Sequence, residues 1–412
     1  MTTKPKKVLI LYADAGFGHR SAALAIQSAL EKTNGDHCQT ILCNPLDDER
    51  ASPILRDSQA DYDRMVKTMP ELYRFGYEAS DAGLPTTLMH GAFVLMLYDV
   101  MKDLVAHNKP DAIVTTYPVY QAPLDALFTM RGLGVPLLTV VTDLVSTHRI
   151  WFNTGVDFCL VPTEEVRQLA LQGGIPEHKV KITGIPVSTE ILEEKRSKSD
   201  IRTALGLRPD LVTLLVLGSK RIDGVPEILD GVNHSGLPVQ LILVAGGDDD
   251  LLEKFQKQDW HVPVQIHNFV DFVPTLMYAA DLIVCKAGGL AVSEALAVGR
   301  PMALVNVLPG QEAGNAEYVV NHRIGELVRD PLHLLEICSH WIQNDCTELN
   351  ERTRIAQQTG HPDSAYRVAD VVWRAANCPA SERSVTHLFK KSHLMRMLRE
   401  YRKDLQEMSR PK

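Results

Sequence analysis

Short apolar runs of strand length recur along the chain, each ending in a turn rich in glycine, threonine or aspartate and followed by a stretch with helical spacing. Val8–Tyr12, Ala112–Thr116 and Pro136–Thr142 are such runs in the first half; Leu211–Leu217, Leu241–Ala245, Leu282–Cys285 and Met302–Val305 are their counterparts in the second. Continuous apolar runs suit strands covered on both faces, and their alternation with helical stretches predicts parallel sheets flanked by helices. Val180–Val187 closes the first half, the charged stretch Glu190–Arg202 reads as a linker helix, and the rhythm then restarts. Residues 331–376 read as helical. The pattern predicts two doubly wound α/β domains, 1–190 and 191–376, and a tail, 377–412. In that tail Val385, Leu388, Met395, Leu398, Tyr401, Leu405 and Met408 recur at helical spacing among Lys390, Lys391, Arg396, Arg399, Arg402 and Lys403, a basic amphipathic helix. Such a helix lies on an anionic membrane surface or packs back on the first domain.

Bulk properties narrow the partners. At 412 residues the chain suits two domains of about 180 residues, each able to bury a core. A net charge of −8 argues against a general nucleic-acid binder. The seven cysteines show no C-x-x-C spacing, which points to a reducing compartment. No apolar run reaches the roughly 18 residues of a spanning helix, and the N-terminus lacks the pattern of a signal peptide. The expectation is a cytoplasmic protein, soluble or peripherally attached to a membrane.

Chemistry concentrates at Asp281–Tyr318. Leu282–Cys285 is a strand, Gly288 and Gly289 form the turn, and Leu290–Val298 is a helix that Gly299 and Pro301 stop. Two residues without Cβ let backbone N–H groups approach a ligand, and the helix end adds partial positive charge, so a phosphate is the natural occupant. Glu294, just inside the helix, is placed to accept two hydroxyl protons, as a ribose diol offers. An ordinary tight turn with a surface acid is the alternative. Met302–Val305 is a further strand, and Pro309-Gly310-Gln311-Glu312 opens a second helix, so Gln311, Glu312 and Asn315 face the same crevice.

Cys-Lys-Ala-Gly-Gly-Leu-Ala-Val-Ser-Glu-Ala, followed by Pro-Gly-Gln-Glu-Ala-Gly-Asn-Ala-Glu, resembles the nucleotide-sugar half of the monogalactosyldiacylglycerol synthases and diacylglycerol glucosyltransferases. These belong to glycosyltransferase family 28 and are related to the lipid II N-acetylglucosaminyltransferase. The resemblance implies the GT-B fold, two Rossmann-like domains with the site in the cleft between them. It implies that Gly288, Gly289, Pro309 and Gly310, with Lys286, hold the diphosphate of a UDP-sugar, and that Glu294 binds the ribose. Gln311, Glu312 and Asn315 would face the sugar, the backbone of Phe269 would read uracil, and Gly218 and Ser219 stand where relatives carry a richer glycine run.

In the first half, Ala13–Arg20 is a second turn from a strand into a helix, carrying Ser21–Leu30. A dinucleotide fold would want glycine where Ser21 stands, so a nicotinamide cofactor is disfavoured. The family carries Gly-Gly-Gly-His here. In this chain Gly16, Phe17 and Gly18 precede His19, and Phe17 narrows the loop. By resemblance this turn and His19 contact the acceptor; a structural cap is the other reading of His19. Val-Thr-Asp-Leu-Val-Ser-Thr-His-Arg-Ile-Trp is the other matching stretch. Asp143 stands at a strand's C-terminal edge, where open α/β sheets place working groups, with His148 and Trp151 following on the same loop. A turn cap is the alternative for Asp143. Residues 61–77 mix aromatic, methionine and basic side chains, and in the family this region touches the bilayer. Asp248–Asp250 could be taken for a metal motif, yet acids there favour a helix N-terminus, so no metal is expected.

The resemblance implies inverting transfer of a hexosyl group, galactose or glucose, from a UDP-sugar to the hydroxyl of 1,2-diacylglycerol. Asp143 is the first choice of general base and His19 the second; no cofactor is called for. A different lipid acceptor, a UDP-sugar epimerase and a non-catalytic lipid-surface module are the alternatives.

Overall fold

A computed structural model describes residues 4–14, 17–52, 55–56, 81, 83–220, 224–307 and 311–378. The expectations placed on Gly16, Pro309, Gly310, residues 61–77 and the basic tail lie outside the described residues, as do those on the side chains of Phe17 and Gln311. The chain divides into two compact units. Of the described residues, the first holds those up to Asp143, then Thr147–Pro186 and 364–378; the second holds Leu144–Ser146 and those of Val187–Asp363.

The first unit is built on six parallel strands: β1 (Lys6–Leu11), β2 (Cys38–Cys43), β3 (Ala112–Thr115), β4 (Leu137–Val140), β5 (Phe158–Val161) and β6 (Val180–Ile182), in the order β2-β1-β3-β4-β5-β6. The direction of winding reverses between β1 and β3, and in open α/β sheets ligands bind outside the carboxyl ends of the strands at that switch point. The apolar run of β1 serves two cores because its side chains alternate. Leu9 and Leu11 pack under the helix Gly83–Asn108 with Phe93, Leu97 and Met101. Val8 and Ile10 meet Ala23, Ile26 and Leu30 of the helix Phe17–Asn34 on the opposite face.

That second face carries a correction to the domain limits. The helix Ser364–Ala376 places Ala365, Val368, Ala369, Val372 and Ala375 against Val8, Ile10, Val114 and Leu138 of the first sheet, rather than continuing the second domain to 376. Helical spacing predicts an apolar face without saying which sheet receives it.

The second unit repeats the architecture with β7 (Val212–Leu217), β8 (Val239–Val244), β9 (Val264–His267), β10 (Leu282–Cys285), β11 (Met302–Leu304) and β12 (Gly325–Leu327). All pair in parallel, in the order β12-β11-β10-β7-β8-β9. This is the dinucleotide-fold order, with its switch point between β7 and β10. Asp281 anchors that junction: it accepts a 2.7 Å hydrogen bond from the Thr213 amide and pairs with Lys198 and Arg202 of the helix Lys198–Ala204. Among the described residues no helix is long and apolar enough to cross a membrane.

Candidate active site

In the second unit, the helix Gly289–Val298 starts directly off the β10 turn, with Gly288 as N-cap and no side-chain cap. The amides of Gly289, Leu290 and Ala291 precede the first intrahelical bond, from Val292 to the Gly288 carbonyl at 3.0 Å, so the first turn offers donors to an anion. Gly288 has φ of −69°, and a Cβ there would touch only the Lys286 side chain, at 3.4 Å or more. Its glycine character keeps the mouth open; the backbone does not require it.

Three charged side chains surround this mouth. Lys286 Nζ lies 2.6 Å from Glu312 Oε1, and both side chains are mostly buried. Glu294, in the helix's second turn, keeps some exposed surface, yet burial of its carboxyl pushes its pKa up to about 7. Among the described residues it has no hydrogen-bond or ion-pair partner. Asn315 is 1% exposed and uses both ends of its amide on backbone: Oδ1 accepts from Leu144 N at 3.1 Å and Nδ2 donates to the Ala287 carbonyl at 2.9 Å. It braces the turn from behind.

Gly218 donates its amide to the Val244 carbonyl at 2.7 Å, and a Cβ there would fall 2.5 Å from Leu251 Cδ2 and 2.9 Å from that carbonyl. Glycine at 218 serves packing against β8, and its N–H is already spent. Ser219 is half-buried beside it. Phe269 stands just beyond β9 and is 69% exposed. Asp248 caps the helix Asp249–Lys257, accepting from Leu251 N, which is the helix-terminus role.

In the first unit, the helix begins at Phe17, so Gly18 and His19 lie in its first turn rather than in a loop. His19 Nδ1 lies 2.7 Å from the Thr116 carbonyl and 3.1 Å from Thr142 Oγ1, and Thr116 Oγ1 donates to the His19 carbonyl at 2.8 Å. A carbonyl can only accept, so Nδ1 carries a proton. The ring stands edge-on to Tyr117, centroids 5.1 Å apart, and 6.1 Å from Trp151. The Trp151 indole donates to Asp143 Oδ2 at 3.1 Å, and both residues are 3% exposed. His148 is 7% exposed and caps the turn Arg149–Trp151, accepting from Ile150 N at 3.1 Å. Burial lowers its pKa, against the pull of Asp81 at 3.7 Å. Sequence alone singled out His19, Asp143, His148 and Trp151; it missed Tyr117 and Thr116, which the strand-end run Thr-Thr-Tyr-Pro could have indicated.

Comparison with known proteins supplies the family. Residues 19–187 match the family described as monogalactosyldiacylglycerol (MGDG) synthase, and residues 218–368 match the glycosyltransferase family 28 C-terminal domain. A probable monogalactosyldiacylglycerol synthase, chloroplastic, of Glycine max is 31% identical over 382 residues, 89% of this chain and 70% of that protein. Its counterpart from Spinacia oleracea is 30% identical over 377 residues, 88% and 71% of the two chains. Among solved structures, Acinetobacter baumannii MurG superposes with a TM-score of 0.57 at 17% identity, over 90% of this chain and 100% of that one. A UDP-GlcNAc 2-epimerase from Neisseria meningitidis bound to UDP-GlcNAc gives 0.57 at 13%, over 89% and 100%. The structural likenesses establish the GT-B fold, and the sequence relationships go further: the chain belongs to the monogalactosyldiacylglycerol synthase family of glycosyltransferase family 28 and is a UDP-sugar-dependent glycosyltransferase.

Proposed function

We propose that the chain moves a hexosyl group, galactose in preference to glucose, from a UDP-sugar to the free hydroxyl of 1,2-diacylglycerol with inversion at the anomeric carbon. The product is a membrane glycolipid, made at the inner face of the cell membrane by a peripherally attached enzyme. The observation that carries the reading is Glu294, a desolvated carboxyl with no protein partner among the described residues, one helical turn inside an uncapped glycine mouth. Two hydroxyls of a ribose would supply the donors this carboxyl lacks. The names of the matched relatives support the sugar and the acceptor, and the basic pattern at the tail supports an anionic surface.

In the reaction the acceptor oxygen attacks the anomeric carbon, the bond from that carbon to the UDP oxygen breaks, and the acceptor proton passes to a base. The tautomer of His19 favours its Nε2 for that task. Asp143, the first choice from sequence, is the other candidate: its buried carboxylate accepts from the Trp151 indole, whose ring stands beside His19. The departing diphosphate gathers charge where Lys286 and the first-turn amides of Gly289–Val298 can balance it, without requiring a metal. Gln311 and Glu312 are then the groups for the sugar hydroxyls, with Pro309 and Gly310 preceding them in the chain.

The test is a radiolabel transfer assay with purified protein, diacylglycerol in anionic liposomes, and UDP-galactose or UDP-glucose in parallel with excess chelator. Glycolipid from UDP-galactose in chelator is expected. Turnover of the sugar nucleotide without acceptor would point instead to epimerisation. Absence of glycolipid from either donor, with UDP binding intact, would overturn the acceptor.

A further inference from the structure

The ion pair between Lys286 and Glu312 joins two residues that the proposed function gives separate work. Their side chains are 23% and 11% exposed, with Nζ 2.6 Å from Oε1. The lysine stem folds back over the glycine turn, so that a Cβ on Gly288 would lie 3.4 Å from Cε and 3.5 Å from Nζ. The ammonium is therefore held at the N-terminus of Gly289–Val298, where the helix end and its first-turn amides draw an anion. A carboxylate of the protein already stands against it.

We propose that Glu312 is a resident stand-in for the donor's diphosphate: when the diphosphate binds, Lys286 exchanges the carboxylate for phosphate oxygens and Glu312 is released toward the sugar. This rests on the reading of the second unit as a UDP-sugar site. Until the ligand arrives, the pair keeps a mostly buried ammonium from standing without a counter-ion, which is costly. On arrival, a diphosphate carries more charge than one carboxylate and has the uncapped amides as further donors, so it competes well for the lysine. A carboxylate parted from its lysine can accept from the hydroxyls of a hexose. Recognition becomes ordered: the diphosphate must be seated before Glu312 is available to the sugar.

Simple removal of a negative charge would also favour UDP, so the test is a double-mutant cycle read by calorimetry with UDP on the full chain. Glu312→Gln should bind UDP about tenfold more tightly than the wild type, and Lys286→Met about tenfold more weakly. In the Lys286→Met background, Glu312→Gln should change UDP affinity by less than about twofold, because no lysine remains to be contested. Glu312→Asp, which keeps the charge, should stay close to the wild type. A tenfold gain that persists without Lys286 would reduce the effect to bulk charge and overturn the exchange. Unchanged or weaker UDP binding by Glu312→Gln would overturn it as well. In both cases the UDP site itself would stand, whereas a wild-type chain that binds no UDP would overturn the site and the exchange together.

Discussion

Two helix mouths built from the same backbone plan carry different chemistry. Both the β1–helix mouth of the first unit and the β10–helix mouth of the second adjoin the switch point of a parallel sheet. At β10 the turn is bare glycine, and the working groups are backbone amides with Lys286, Glu312 and Glu294 around them. At β1 the corresponding space holds rings: His19, Tyr117 and Trp151, fixed by carbonyl, hydroxyl and carboxylate partners. A mouth of amides and charges suits a diphosphate, which needs many donors and little shape. A mouth of rings around one tautomer-locked imidazole suits proton transfer from a weakly polar acceptor, where position matters more than charge. The fold supplies the location twice, and the side chains decide the use.

The sharpest way to break this comparison is at His19. His19→Ala should lower turnover by about 10²- to 10⁴-fold while leaving UDP affinity within about twofold. Asp143→Asn should lower turnover too, by loosening the hold on the Trp151 indole, and by less than loss of the imidazole. Steady-state transfer and calorimetry on the same preparations read both. If His19→Ala keeps wild-type turnover while Asp143→Asn abolishes it, the base is Asp143 and the roles assigned within the first mouth are exchanged.

The second mouth should respond in binding rather than in turnover alone. Glu294→Ala should weaken UDP by about 10- to 100-fold, the range for losing hydrogen bonds to a charged group. The same residue sets a pH dependence. Because burial raises its pKa to about 7, the free enzyme is increasingly protonated below that pH and loses acceptor capacity. UDP affinity should therefore rise between pH 6 and 8, with proton release on binding near pH 7, and Glu294→Gln should cut that release to the part that belongs to the terminal phosphate of UDP. Unchanged UDP affinity in Glu294→Ala would sink the ribose assignment.

The glycines separate the functional turn from the structural one. Gly288→Ala meets no backbone and needs no unusual φ, so it should fold with a melting temperature at or slightly above the wild type while UDP binding weakens. Gly218→Ala drives a Cβ into the Val244 carbonyl and the Leu251 side chain, and should lower the melting temperature. Equal loss of stability in the two variants would make Gly288 a packing residue as well.

How far the sequence shows this in advance follows from the range of the interactions. The strands are legible because both faces are buried, leaving continuous apolar runs in Val8–Leu11, Leu241–Val244 and Leu282–Cys285. The β10 mouth is legible because strand, glycine pair and helix follow one another within a few residues. The pairing of Lys286 with Glu312 spans 26 residues and depends on the alignment of β10 with β11, which no local pattern states. Asn315 looks like a ligand for the sugar in the sequence, and only the structure shows its amide committed to Leu144 and Ala287. The bond from the Gly218 amide to the Val244 carbonyl of β8 is likewise absent from any local pattern. These limits share a cause: a polar or glycine residue at a strand end has a type that sequence reveals and a partner that it does not.

The smallest expected effect concerns a second raised carboxyl, in the first unit. Asp125 lies in the helix Gln121–Arg131 against Gly155, where an added Cβ would fall 2.2 Å from its carboxyl carbon. Burial pushes its pKa up to about 6, with Asp157 adding to the rise and Lys179 opposing it. Like Glu294 it is desolvated, but it faces a packed glycine instead of an open mouth. Its proton is held more tightly in the folded chain than in the unfolded one, so the folded state is favoured at low pH and loses that advantage as pH rises from about 4 to 6. Asp125→Asn should therefore leave stability near pH 4 almost unchanged and raise it above pH 6, by about 1 kcal/mol. Turnover and UDP affinity should not move. Denaturant melts at the two pH values, with one transfer assay, read all three quantities. A loss of UDP affinity in Asp125→Asn would show that a raised carboxyl does not by itself distinguish a binding group from a packing group, and would remove the physical ground for separating Glu294 from it.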